Sequence, residues 1–195
     1  MTIDIRIHTA PQGSAVQLDQ ALEVLAHQLK GHADVQFLVH GTSFFTMPEP
    51  DTQPVVVTLT GWVGSAPAAL DPALPAGVTQ KAQATVELND HDTDALTEHV
   101  RSAGVLEVAI RTPRAGQEEA FLRERERFFG LVRQQPGFVF DQELPAIHGP
   151  ARAVLIGWMD RSAFRQALGV LGQAPEMGSF FSTIDVHAYQ AFEPS

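Results

Sequence analysis

Carboxylate, arginine, histidine and tyrosine side chains recur at every second position on several extended stretches of this chain, a spacing that collects chemistry on one face of a strand. Asp4, Arg6 and His8 alternate with Ile3, Ile5 and Ile7, and Glu107 and Arg111 alternate with Leu106, Val108 and Ile110. Gln83, Thr85 and Glu87 repeat the pattern, as do Asp185, His187 and Tyr189. A water-poor site built from such faces could bind a polar aromatic molecule. His8 or His187 would take a phenolic proton, and Arg6 or Arg111 would hold the resulting anion. Trp62, Trp158, His40 and Tyr189 are the candidates for touching the ligand itself. The same groups could instead satisfy one another as ion pairs or face water, and each tryptophan could simply close the end of a core.

Other chemistries find little support. The chain has no cysteine, which excludes disulfides, thiolate nucleophiles and thiolate metal sites. It has no phosphate-binding glycine loop, no HExxH pair and no GxSxG elbow. His91, Asp92, Asp94, Glu98 and His99 are ligand types, yet they follow no metal spacing, so a solvated cluster and no metal are expected. The arginines at 123, 125, 127 and 133 interleave with Glu119, Glu124 and Glu126, which predicts a salt-bridged helix face.

The elements that position these residues come from an internal repeat. Residues 3–9 lie over residues 106–112, and both stretches run into a proline-containing turn that ends at Gly13 or Gly116. In that register Leu18, Leu22, Leu25 and Leu29 lie over Phe121, Arg125, Phe128 and Val132, an apolar helical stripe interrupted only by Arg125. Second strands follow at residues 35–37 and 138–140. Third strands end at Gly61-Trp62 and Gly157-Trp158, so both tryptophans fall at one place in the repeat. The second helix is clear at Phe164, Ala167, Leu168 and Leu171, but Pro67, Pro72 and Pro75 cut it short in the first copy. Final strands are expected at 79–88 and 183–189. The stretch at 41–53, with Phe44, Phe45 and Met47, reads as a long apolar-tipped loop that could lid a cavity.

The order β-α-β-β-α-β predicts an α+β fold of two tandem ferredoxin-like repeats, at residues 1–90 and 104–195, joined by a linker at 91–103. Each sheet has one face for helices and one that needs cover, so the two sheets are expected to face each other as an intramolecular dimeric α+β barrel. Period-two alternation then sends Ile3, Ile5 and Ile7 toward the helices and the polar faces into the barrel interior. The fused unit is a pseudo-dimer within one chain, free to pair again into a larger homo-oligomer.

Formal net charge is −10, which repels nucleic acid and anionic lipid. The N-terminal stretch lacks the basic start and apolar run of a signal peptide, and no apolar run reaches the roughly 20 residues of a membrane span, so a cytoplasmic protein is expected.

The second copy resembles the antibiotic biosynthesis monooxygenase domain of the dimeric α+β barrel superfamily. The resemblance is carried by residues 108–116, Pro136-Gly137-Phe138, and above all Gly157-Trp158-Met159-Asp160-Arg161-Ser162-Ala163-Phe164. It implies a cofactor-independent monooxygenase or related enzyme acting on a planar aromatic in the barrel interior, or a non-catalytic small-molecule-binding or assembly module. Members of that family commonly place an asparagine on the first strand. Here that place falls near Arg6 in one copy and Ala109 in the other. The haem-degrading members place a histidine in the second helix, and residues 165–173 contain none.

Overall fold

The computed structural model describes residues 1–11, 13, 16–17, 20, 22–24, 27, 33–47, 53–64, 76–88 and 90–195, with 90–92 described in their backbone alone. The described elements are β1 (Thr2–Thr9), β2 (Val35–Met47), β3 (Val55–Trp62), β4 (Thr79–Glu87), α1 (Asp90–Ser102), β5 (Val105–Pro113), α2 (Glu118–Val132), β6 (Phe138–Pro145), β7 (Arg152–Trp158), α3 (Arg161–Leu171), α4 (Pro175–Phe181) and β8 (Ile184–Phe192). Leu22 of the predicted first helix is helical and buried. Leu18, Leu25 and Leu29, like the proline-rich stretch holding Pro67, Pro72 and Pro75, lie outside the described residues.

All eight strands join one antiparallel sheet in the order β4-β1-β3-β2-β8-β5-β7-β6. Each run of four has its fourth strand at one side, then its first, third and second, which is the split βαβ order. Two seams join the runs. At one, the end of β2 pairs with β8 from Ser43↔Phe192 to Met47↔Tyr189. At the other, a single bridge, Val86↔Ala146, and the bond from the Ile147 N–H to the Thr85 carbonyl (2.8 Å) bring β4 to the end of β6. The sheet thus closes into a barrel. The predicted loop at 41–53 is corrected over 41–47, which continue β2; residues 48–52 lie outside the described residues.

One apolar cluster fills the barrel. It unites Ile3, Ile5 and Ile7 with Val57 and Leu59, and with Leu106, Val108, Ile110 and Leu155 from the other run. The expectation that these isoleucines face helices is therefore overturned. The interior is crowded by side chains from all eight strands. Gln190, which shares that face with Val108, is satisfied there by the Thr46 hydroxyl at 2.9 Å, but a row of charged groups would lack partners, so the more apolar face turns inward. The polar faces of β1, β4 and β5 turn outward, and that of β5 lies beneath the helices of the second half. A second cluster lies there, packing Ala109, Val154, Ile156 and Trp158 against Phe121, Phe128, Phe164 and Phe180 of α2, α3 and α4.

Several local devices recur in both runs. Phe37 lies so close to Gly61 that a Cβ there would come within 2.5 Å of its ring, and the distance from Gly157 to Phe140 would be 2.3 Å. Only glycine admits these rings. Gln36 and Val139 are left unopposed as the second and third strands pair, and Lys81 and His187 as the first and fourth pair. These are β-bulges, and each moves the residues beyond it to the other face.

The segment expected as a linker is mostly α1. Its Leu96 and Val100 are buried against the barrel cluster, so the linker, expected to be polar at first and weakly helical after, packs as an amphipathic helix. No helix among the described residues is long and apolar enough to cross a membrane.

Candidate functional site

A cavity of about 40 Å³ lies between the outer face of β5, β7 and β8 and helices α2, α3 and α4. Arg111, Trp158 and Tyr189 line it, with Glu107 and Ala109 from β5 between them. The walls are mostly apolar, with Phe128, Phe180, Leu168 and Met177 prominent. Met47, at the end of β2, completes the lining from the first half of the chain.

The strand registers explain which side chains meet. Ile156 and Ala191 lie directly opposite Glu107 on the two neighbouring strands. Trp158 and Tyr189 are therefore its diagonal neighbours on either side, within reach of long side chains. Trp158 is 1% exposed, and its indole Nε1–H donates to Glu107 Oε1. The Tyr189 hydroxyl donates to Glu107 Oε2. Tyr189 reaches this face because His187 is the bulged residue of β8. Ile184 and Val186 line the cavity before the bulge, and Tyr189 lines it after. His187 itself is exposed and hydrogen-bonds the Thr112 hydroxyl at 2.8 Å.

Glu107 is 4% exposed in a largely apolar wall. Loss of hydration pushes its pKa up to about 8, against the smaller opposing pull of the Trp158 hydrogen bond. At neutral pH it is mostly a neutral carboxylic acid, able to donate or take a proton near physiological pH. At the other end of β5, Arg111 gives NH2 to Glu143, while its guanidinium lies 4.6 Å from the Phe180 ring centre and 5.3 Å from that of Phe129. Burial lowers its pKa, opposed by the Glu143 charge.

Three of the eight predicted site residues, Arg111, Trp158 and Tyr189, come together here. The others do not. Arg6 binds Asp4 at 2.6 Å, and His8 is buried on the outer face of β1. Trp62 is buried at the end of β3. His40 pairs through its backbone with Ser195, at 2.9 and 3.3 Å. None of the eight lines the barrel interior, which is the apolar cluster described above.

Glu107 belongs to a polar strand face, and the sequence alone does not single it out. Its signal is a carboxylate between Leu106 and Val108 with Trp158 one strand away. Arg125, the break in the α2 stripe, is a second such signal, since it reaches Glu143 at 3.3 Å. Its neighbours follow the predicted salt-bridged face, with Arg123–Glu124 at 2.9 Å and Arg133–Glu126 at 3.4 Å. Among the described residues no group of three or more histidines and carboxylates is placed to hold a metal ion.

No protein-family model and no curated protein matches the sequence. Solved structures match over the whole chain. A protein of Fusobacterium nucleatum described as a "putative monooxygenase" aligns with 100% of this chain and 93% of its own, at TM-score 0.59 and 8% identity. A "putative chlorite dismutase" aligns with 100% and 94%, at TM-score 0.62 and 10% identity. A haem-binding protein of Thermus thermophilus aligns with 99% and 90%, at TM-score 0.55 and 11% identity. At such identities the likeness is one of fold. With the sheet order and the two seams, it establishes that the chain has the dimeric α+β barrel fold, both halves of the barrel being supplied by one polypeptide.

Proposed function

We propose that the chain is a monooxygenase-type small-molecule enzyme whose planar aromatic substrate binds in the cavity of the second half. The observation that carries this reading is a buried carboxyl group, Glu107, held by Trp158 and Tyr189 at the wall of an otherwise apolar pocket. Burial keeps the carboxyl close to half-ionised near pH 8, a good setting for accepting a phenolic proton. Tyr189 relays that proton and Trp158 fixes the carboxyl's orientation. Removing the proton leaves an electron-rich enolate or phenolate that reacts with oxygen. For a substrate with a ring CH2 beside the phenol or ketone, one oxygen atom becomes a carbonyl. The other leaves as water with the two displaced hydrogens, so no outside reductant is consumed.

Support also comes from whole-chain fold neighbours described as "putative monooxygenases", in Fusobacterium nucleatum and, at TM-score 0.50 and 9% identity, in Lactobacillus acidophilus. Haem chemistry draws less support, because no histidine among the described residues lines the cavity. The site works without a resident cofactor in this reading, in a cytoplasmic protein. It sits in the second of two tandem copies at 1–90 and 104–195; the paired bulges and Gly–Phe contacts favour that origin.

A non-catalytic small-molecule-binding or assembly role is the alternative. Its assembly form is favoured by the cavity's present size of about 40 Å³, room for only a few water-sized groups, since a ring enters only when lining side chains such as Met47 and Met177 move. Oxygen uptake by purified protein with anthrone or a naphthol separates the two. Uptake that falls at least tenfold in Glu107→Gln and Tyr189→Phe, with unchanged melting temperature, supports the enzyme. Binding without uptake supports the alternative.

A further inference from the structure

Arg111 is one of three arginines gathered on a single carboxylate. Its NH2 and the Arg125 Nε meet Glu143 Oε2, the latter at 3.3 Å, and the Arg152 NH1 meets Oε1 at 3.2 Å. No other carboxylate among the described residues pairs with these arginines. One negative charge therefore faces three positive ones, and the group carries a net charge of +2.

Two features make this more than a surface network. Arg111 and Glu143 are each only 4% exposed, whereas Arg125 and Arg152 are 29% and 35% exposed. The Arg111 Nε is buried with no acceptor. Phenylalanine rings lie over its guanidinium, with Phe121 at 5.7 Å and Phe180 at 4.6 Å. A buried guanidinium that keeps an unused N–H besides its bond to Glu143, in the wall of an apolar cavity, has a donor left for a second anion.

We propose that the molecule bound in this cavity is an aromatic acid, its anionic group docking on Arg111 and its rings lying against Phe128 and Phe180 toward Glu107. Arg125 and Arg152, which meet Glu143 outside the cavity lining, supply the balancing positive field. Glu107 and Arg111 stand four residues apart on β5, roughly 13 Å along the strand at about 3.3 Å per residue. The ligand is therefore elongated, with an anionic end and an end that meets the carboxyl group. This inference rests on the cavity being the binding site, as in the proposed function, and narrows its substrate class.

The test is calorimetric titration of the full chain with 2-naphthoate and, separately, with uncharged 2-naphthamide. The acid is expected to bind at least tenfold more tightly than the amide. Arg111→Gln is the direct variant, but it touches a buried pair. Arg152→Gln lies nearer the surface and should keep the melting temperature while cutting the acid's advantage severalfold. Equal affinity for acid and amide overturns the anion site and leaves the cavity reading standing. An advantage that Arg152→Gln leaves untouched overturns the assigned cluster. Failure of both ligands to bind at millimolar concentration overturns this inference and the cavity reading together.

Discussion

The two halves of the barrel place a carboxylate at the same point and treat it in opposite ways. In the first half Asp4 takes the Arg6 Nε at 2.6 Å, Gln83 Nε2 at 3.0 Å and the Thr85 hydroxyl at 3.4 Å. In the second half Glu107 stands in that place, Ala109 replaces Arg6, and Tyr189 replaces Gln83 in the strand register. A guanidinium folded onto its neighbour gives a self-satisfied cluster. A methyl group in the same position leaves a cavity and a carboxyl group without a counter-charge. One strand pattern can therefore yield a structural ion pair or a chemical site, depending on the residue two positions along and its partner on the next strand.

The largest effect should come from the charge on β6. Glu143→Gln leaves three arginines without a carboxylate, one of them buried, and should cost about 3–5 kcal/mol in urea unfolding. Asp4→Asn, with one partly exposed arginine and two neutral donors beside it, should cost about 1–2 kcal/mol. Equal losses would remove the contrast between the halves.

Next comes the pH dependence of stability. The folded pKa of Glu107, raised to about 8, lies above its ordinary value of 4.5, so the folded state binds the extra proton between those limits. Stability contributed by this group should be highest below pH 4.5 and decline by about 1.4 kcal/mol per pH unit until about pH 8. Glu107→Gln should flatten that part of the profile and change stability little near pH 5. An unchanged slope in the variant would mean that Glu107 is ionised in the folded protein.

Ala109→Arg would install the first half's arrangement in the second. It should fill the cavity, abolish ligand binding and cost about 1–3 kcal/mol by overpacking. Retained binding would show that ligands enter elsewhere. The smallest contrast is expected where the halves agree. Gly61→Ala and Gly157→Ala each drive a Cβ into a phenylalanine ring, at 2.5 and 2.3 Å, and should cost about 1–3 kcal/mol each. Melting temperatures of the two variants should fall together, and a fall in only one would break the structural equivalence.

Much of this fold could be read along the chain. The strand–turn pairs, the twin Gly-Trp dipeptides and the split βαβ order are local patterns, and local patterns survive tertiary assembly. What could not be read was which face of each strand turns inward. Alternation separates Ile5 from Arg6, but both faces of a barrel strand are buried, so it cannot say which layer lies on which side. The bulge at His187 was equally hidden, since no composition marks it, and it splits His187 from Tyr189 although strict alternation groups them. Phe44 shows the same difficulty. A bulge between Ser43 and Phe45 brings both phenylalanines onto Phe164, at 5.6 and 5.3 Å, in a stretch that read as loop. Of the site, Trp158, Tyr189 and Arg111 were legible by type and position. Glu107 needed the register, because only the diagonal strand neighbours show what holds it.

The chain has two tryptophans, one in each half, and they report on the central claim directly. Indole N–H resonances of uniformly 15N-labelled protein, assigned with Trp62→Phe, should be followed during titration with 2-naphthol. The account predicts that the Trp158 resonance shifts progressively as the cavity beside Glu107 fills, while that of Trp62 stays in place. A shift confined to Trp62, equal shifts of both, or no shift at saturating ligand would contradict a binding site in the second half.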